Sequence, residues 1–422
     1  MPIPSEHAAR VIDPAAYADG GIYETYRWLR AHDPLGDVEA EGYDPFRVVT
    51  RHADIMEISR QPELFHNGPQ PILNSQIGIR KSLELSGGQP TVLSLIQMDP
   101  PMHASYRGLT SAWFQPGNLK SLEPRIRELA REAVDRMAAT GGKCDFVNEI
   151  ALHYPLFVIM EILGLPAEDE PFMLKLTQEM FGVNDPDLNE GGGGAYGVTD
   201  EEQKLDMSTL WKMMAYFNKL TEDRRANPTG DLSSIIANAT IDGEPLDPLG
   251  TMGYYVITAT AGHDTTSSST GGGMWALAEH PGELARLKAD PALLPLFIDE
   301  AIRWTTPVKH FMRQAQADTQ VGGKAIARDD WLMLCYASAS RDEAVFDEPD
   351  TFRVDRKPNR HIAFGYGAHL CLGQYLARME MRILFEELLP RLDWVELDGE
   401  PAMSKATFVN GPKRLPIRFG MR

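Results

Sequence analysis

The spacing of apolar residues is helical along most of the chain. After Asn118, apolar side chains at Leu122, Ile126, Leu129, Ala133 and Met137 recur in steps of three and four, which predicts an amphipathic helix over 118–140. The same period predicts helices over 149–164, 200–226 and 281–304. The longest pattern starts at Pro248, behind Asp247 as N-cap, and runs to His280 before Pro281. At about 1.5 Å per residue it spans roughly 50 Å, with Asp264 at its middle. Strand patterns are short. They gather at Pro45 to Thr50, within 308–336, where Trp331 to Tyr336 is the clearest run, and as a pair near 391–419. Helices with a minor sheet, and no regular alternation of strand and helix, predict a mainly α fold of the α+β class.

Three stretches lack either period: 66–99, 182–199 and 340–370. Loops this long commonly carry function. The run Gly191 to Gly194 is not followed by Gly-Lys-Ser/Thr, so it reads as a hinge and not as a phosphate loop. No internal repeat is visible, and one domain over 1–422 is expected.

The chain has 422 residues, 43% hydrophobic and 24% charged, so a large core is expected and wholesale disorder is excluded. With 41 Lys and Arg against 60 Asp and Glu the net charge is −19, which argues against nucleic acid and anionic membrane surfaces as general partners. Cys144, Cys335 and Cys371 are far apart and form no CxxC. That excludes a disulfide framework, a zinc ribbon, a cysteine-held iron–sulfur cluster and CxxCH haem attachment. Unpaired thiols, an N-terminus without an apolar core and no long apolar run predict a soluble, cytoplasmic protein.

The chemistry concentrates at Phe364-Gly365-Tyr366-Gly367-Ala368-His369-Leu370-Cys371-Leu372-Gly373. A helix follows, with Leu372, Leu376, Met379, Ile383, Leu384 and Leu388 on one stripe and Pro390 as its end. Cys371 is therefore expected at a helix N-terminus, where free N–H groups favour a thiolate. The glycines allow a sharp turn or a close approach to something flat. The cofactor that takes one axial thiolate from protein is haem. A merely packed cysteine is the commonplace alternative. The second segment, Ala261-Gly262-His263-Asp264-Thr265-Thr266, puts poor helix formers in the middle of the long helix. Its Thr hydroxyls can bond back to carbonyls and open the helix slightly, leaving room for O2 and water. Glu300 and Arg303 share a helix face, as do His103 and Arg107. Alone, either pair would pass for ordinary surface residues.

From Phe364 to Gly373 every fixed position of Phe-Gly-x-Gly-x-His/Arg-x-Cys-x-Gly is filled, and the chain resembles the cytochrome P-450 family of haem-thiolate monooxygenases. The family's Ala/Gly-Gly-x-Asp/Glu-Thr is matched from Ala261 to Thr265, and Glu-x-x-Arg by Glu300 and Arg303. The likeness runs from about residue 20 to Phe419. Within the family it resembles the bacterial terpineol-hydroxylating subfamily, through Ala261 to Ser269, Arg303-Trp304 with Pro307-Val308-Lys309, and Pro358 to His361. The glycine-rich insertion at 189–197 has no match there.

The resemblance implies a long central helix over the haem and a small β-rich region, about 40–60, 305–340 and 391–419. It implies non-covalent haem b with Cys371 as metal ligand and Ala261, Phe364 and Gly365 beside the ring. His103, Arg107, Arg313 and His369 would meet the haem carboxylates. Asp264 and Thr265 would relay protons during O2 activation. Glu300 and Arg303 would pair with an arginine of the loop before the cysteine, either Arg356 or Arg360. The family's pocket positions hold Leu93, Leu95, Ile96, Met180, Phe181, Thr258, Ala261, Val308, Phe311, Phe408 and Val409. These suit a monoterpene or an aromatic or polycyclic hydrocarbon. A fatty acid would need a fixed cation, for which Lys309 and His310 remain open. No flavin domain is expected, so electrons are expected from an external iron–sulfur ferredoxin with a flavin reductase. It would dock on a basic spot drawn from Arg107, Lys120, Arg356, Arg360 and Arg378. A monomer is expected. A gas sensor would not need the acid–alcohol pair, and peroxide-driven relatives tend to lose it. A cysteine hydrolase would need better geometry than Cys371 and His369, two residues apart, can supply.

Overall fold

The long helix Pro248–Glu279 runs through the core of the chain and is buried on nearly every side. Its start is set locally: the Asp247 side chain accepts from the Gly250 N–H at 2.9 Å, and Pro248 occupies the first turn. His280 caps its end, one residue earlier than the pattern suggests. Helices Glu123–Ala139, His153–Leu163, Leu294–Thr305 and Gln374–Leu388 join it in one apolar core. The computed structural model describes residues 2–88, 92–181, 185–188 and 208–422. The glycines 191–194 and the start of the helix expected at 200 lie outside the described residues. Among the described residues, no helix is long and apolar enough to cross a membrane.

A five-stranded sheet stands beside the helices in the order Leu35–Val38, Phe46–Val49, Trp331–Cys335, His310–Ala315, Phe65–His66. Only the pair Phe46–Val49 and Trp331–Cys335 is parallel. A smaller sheet orders Leu392–Leu397, Pro416–Met421 and Lys143–Asp145. The β-rich region is thus a mixture: His52–Ser59, inside the stretch expected to be β, is a helix. Two further expectations change. The helix over 281–304 is two, Pro281–Ala289 and Leu294–Thr305, because Asp290 accepts from the Ala292 N–H at 3.0 Å and Pro291 starts a new turn. The stretch 66–99 is not structureless either. Ser75 caps the helix Gln76–Leu85 by accepting from the Gly78 N–H at 3.0 Å.

The loop 340–370 is irregular but tied down by one carboxylate. Glu300 and Arg303 are both fully buried. Arg303 donates Nε to Oε2 at 2.7 Å and Nη2 to Oε1 at 2.8 Å. Arg356 donates Nε to both oxygens at 3.0 Å, Asn359 adds 3.2 Å and the Arg353 N–H 3.1 Å. One anion faces two cations, and loop carbonyls meet the surplus: Ser340 and Pro349 accept from Arg303, Asp347 and Thr351 from Arg356. Arg360 is exposed. The arginine on Glu300 is therefore Arg356.

Removing one partner of a buried ion network strands the others. Glu300→Gln and Arg356→Leu should each lower unfolding free energy by on the order of 3 kcal/mol, whereas Arg360→Ala should leave it unchanged. Denaturant melts of the haem-loaded protein measure this, and an equal loss from Arg360→Ala would contradict it.

Candidate active site

The segment after the loop turns Cys371 toward an internal cavity. Gly367, at φ 72°, sits where a Cβ would lie 1.9 Å from the Ser59 carbonyl oxygen, so only glycine fits there. The Cys371 N–H donates to the Phe364 carbonyl at 2.8 Å and closes the segment on itself. Arg378 lies over the Phe364 ring at 4.5 Å and donates to Asp299 at 2.8 Å, which pins that ring. The helix itself begins at Gln374 with Gly373 as N-cap, three residues later than expected for Cys371 to be inside its first turn. Cys371 still faces the helix end. Burial from bulk water pushes its thiol up; the Gly373 and Gln374 N–H groups and the Arg107 and Arg378 charges oppose this without overcoming it. The helix end thus eases the thiolate but does not by itself produce it.

Cys371, Phe364, Gly365 and His369 line one wall of the cavity, and Thr258, Ala261 and Thr265 of the long helix line it too. The Thr265 hydroxyl donates to the Ala261 carbonyl at 2.7 Å. The helix is not broken there, so the expected opening is confined to that hydroxyl. Asp264 is half-buried and does not line the cavity. Its Oδ2 is buried without a hydrogen-bond partner, 3.5 Å from His263 Nδ1. His263 is fully buried: Nε2 donates to the Leu152 carbonyl at 2.8 Å, and Nδ1 is 2.8 Å from the Thr177 hydroxyl.

His103 and His369 lie against each other with ring centroids 4.0 Å apart and planes tilted by 33°, and both Nε2 atoms are buried without a partner. Both rings line the cavity beside Arg107, whose Nη2 donates to the Leu370 carbonyl at 2.6 Å. Burial, then the charges of Arg313, His103 and Arg107, push His369 down to about 2. Two neutral rings with unused nitrogens and one guanidinium suit a group carrying two carboxylates, and the cysteine on the same cavity suits its metal. The residues present therefore fit a haem. Arg313 does not line the cavity. It is buried against Tyr336, which does, and it donates to the Met312 carbonyl at 2.7 Å.

Of the pocket positions, Leu95, Ile96, Met180, Val308, Phe311, Phe408 and Val409 line the cavity along with Thr258 and Ala261. Leu93 does not. Its carbonyl is pressed against the long helix where a Cβ on Gly253 would come within 2.0 Å, so this residue packs instead of contacting a ligand. The Phe181 side chain lies outside the described residues. Lys309 and His310 are not anchors for a substrate carboxylate. Lys309 Nζ donates to the Thr305 carbonyl at 2.7 Å and lies with Tyr23 and Arg341, and the His310 ring is occupied by backbone groups. Of the five candidates for a basic docking spot, Arg356 is buried, Arg107 and Arg378 are half-buried, and Lys120 and Arg360 are exposed.

Some lining residues were not anticipated. Ile72 belongs to the stretch taken as loop. The Thr209 hydroxyl donates to the Glu179 carboxylate at the cavity wall, a polar pair in a mostly apolar lining. Glu380 is fully buried on the same wall as Cys371, its Oε2 has no partner, and burial pushes its carboxyl well up. Its signal was present in the sequence: it sits midway between Leu376 and Leu384 on the apolar stripe of Gln374–Leu388, where an acid is out of place.

The model of the cytochrome P450 family matches residues 77–419. Cytochrome P450-terp of a Pseudomonas species is 50% identical over 418 residues, 98% of this chain and 97% of that one. Linalool 8-monooxygenase of Pseudomonas putida is 33% identical over 411 residues, 96% and 97% of the two chains. The crystal structure of CYP108D1 from Novosphingobium aromaticivorans matches all of both chains at 44% identity with a TM-score of 0.91. This chain belongs to the cytochrome P450 family, and it is a haem-thiolate monooxygenase that uses O2.

Proposed function

We propose that this monooxygenase hydroxylates a monoterpene-sized, mostly apolar compound, with haem b held by Cys371 and electrons from an external iron–sulfur ferredoxin. The observation that carries the reading is one cavity shared by Cys371, Thr265 and an apolar lining of Leu95, Val308, Phe311 and Phe408. Half-identity to Cytochrome P450-terp and the likeness to Linalool 8-monooxygenase support the substrate class. The withdrawal of Lys309 and His310 from the cavity counts against fatty acids.

The bound haem supplies the activation of O2 and the transfer of one oxygen atom to a C–H bond. The protein does the rest. Cys371 Sγ would hold the iron, with Phe364, Gly365 and Ala261, which line the same cavity, packing against the bound group. His103, Arg107 and His369 would take the two carboxylates, with Arg313 adding positive charge from behind Tyr336. Thr265 Oγ1 spends its proton on the Ala261 carbonyl. Its lone pairs are thereby left to accept a proton donor in the cavity. Asp264 is the neighbouring acid: with its side chain turned from His263 toward Thr265, a protonated carboxyl would pass its proton to Oγ1 as Oγ1 releases its own hydrogen from the Ala261 carbonyl to an acceptor in the cavity, leaving Thr265 neutral and Asp264 ionised. The apolar lining keeps bulk water away from the reacting carbon. Lys120 and Arg360 remain as exposed cations for an acidic ferredoxin.

Spectral titration of the purified enzyme with α-terpineol, naphthalene and dodecanoate tests the substrate class. The account expects the largest high-spin shift with α-terpineol, and a shift with dodecanoate alone would refute it. Thr265→Ala should bind α-terpineol as tightly as the parent. It should release several-fold more hydrogen peroxide per NAD(P)H consumed, and unchanged coupling would remove Thr265 from the relay.

A further inference from the structure

His310 opens the strand His310–Ala315 and is fully buried. Its Nε2 lies 3.1 Å from the Leu73 backbone nitrogen and its Nδ1 3.0 Å from the Thr407 carbonyl oxygen. A backbone N–H only donates and a carbonyl only accepts, so Nε2 must offer a lone pair and Nδ1 must carry the hydrogen. Of the three forms of an imidazole, only the neutral Nδ1–H tautomer meets both partners. Burial keeps the ring in that form by pushing its pKa down to about 4.

The two partners belong to chain segments more than 300 residues apart, and each stands next to a residue of the cavity wall: Ile72 before Leu73 and Phe408 after Thr407. The backbone repeats the junction on both sides. The Met312 N–H donates to Pro71 at 2.8 Å, the Lys309 N–H to Phe408 at 2.8 Å and the Asn410 N–H to Pro307 at 3.0 Å. Phe408 packs edge-on against the His310 ring at 5.7 Å and against Phe311 at 5.3 Å. Among the described residues, the imidazole is therefore the one side chain that hydrogen-bonds both segments at once.

We propose that His310 is a positioning residue for substrate fit: its ring bolts the 71–73 segment to the 407–410 turn and so fixes the spacing between Ile72, Phe311 and Phe408 across the cavity. The proposal rests on the reading of this cavity as the substrate pocket. His310 acts through Ile72 and Phe408 and touches no reacting atom.

Three variants separate the two bonds. His310→Gln places an amide oxygen about where Nε2 lies and keeps an acceptor for Leu73. His310→Asn places an amide about where Nδ1 lies and keeps a donor for Thr407. His310→Leu keeps neither. The first measurement is amide hydrogen exchange at Leu73 in the haem-loaded protein without substrate. Exchange should accelerate tenfold or more in His310→Leu and His310→Asn and stay near the parent in His310→Gln. The second is α-terpineol affinity from the spin shift, with the reduced carbon monoxide spectrum as a check on haem ligation. His310→Leu should bind tenfold or more weakly with an unaltered carbon monoxide spectrum, and His310→Gln and His310→Asn should fall between it and the parent. Unchanged Leu73 protection in His310→Leu would overturn the proposal, as would affinity within twofold of the parent. A parent enzyme that ignores α-terpineol would count against the substrate reading alone, because the exchange measurement reads the bolt itself.

Discussion

A sulfur that must carry negative charge while facing an apolar cavity is the constraint to which the rest of the molecule answers. Burial disfavours that charge at Cys371, and the N–H groups of Gly373 and Gln374 offset it only in part. On the proposed reading a bound iron supplies the remainder, and the chain holds the sulfur in place for it. It does so with rigid contacts, some made by the same Arg107 and Arg378 whose charges favour the thiolate. The segment closes through Cys371 N–H to Phe364, Arg378 clamps Phe364, and Arg107 holds the Leu370 carbonyl. Behind these, Glu300 fastens Arg303 and Arg356, whose free donors gather the carbonyls of residues 340–351. A loop of that length has little regular structure of its own, and its shape is borrowed from this one carboxylate.

The same logic governs the other buried polar groups. Of those that line the cavity, His103 Nε2, His369 Nε2 and Glu380 Oε2 are without partners, while Arg107, Thr265 and Thr209 are bonded. Those just behind the wall are fully engaged: Lys309 by the Thr305 carbonyl and His310 by Leu73 and Thr407. A buried polar atom without a partner is costly, and at the cavity a ligand with matching groups would remove that cost; Asp264 Oδ2 and Asn359 Oδ1 are buried without partners elsewhere. The engaged ones set the shape of that cavity instead. Lys309 and His310 are adjacent in sequence to the pocket residue Val308, and yet neither offers its polar end to a ligand.

Much of the fold could be read before any coordinates. The ends of the long helix follow from Asp247, Pro248 and Pro281, and the strand Trp331–Cys335 from a plain run of β-forming residues. The motif residues Cys371 and Thr265 were legible because each sits in a run of several restricted positions, whereas Glu300 and Arg303 were legible only through the family resemblance. What was not legible depends on contacts distant in sequence. The helix Gln76–Leu85 hides in a glycine-rich stretch and shows itself only by the Ser75 cap. Leu93 has the right residue type for a pocket, but its backbone is pressed against Gly253 and its place on the wall is lost. The choice of Arg356 over Arg360 turns on which of two arginines, four residues apart in an irregular loop, is folded inward, and no local pattern encodes that. Asp264 was expected to act in the proton relay with Thr265, but its Oδ2 lies 3.5 Å from His263 Nδ1 and off the cavity, a side-chain rotamer that no local pattern encodes.

The account stands or falls on the sulfur of Cys371 as an iron ligand. X-ray absorption at the iron edge of the purified protein reads this most directly, in the parent and in Cys144→Ser, Cys335→Ser and Cys371→Ser. One sulfur neighbour of iron is predicted in the first three and none in the last. Iron without a sulfur neighbour in the parent, or a sulfur that persists in Cys371→Ser, would contradict it.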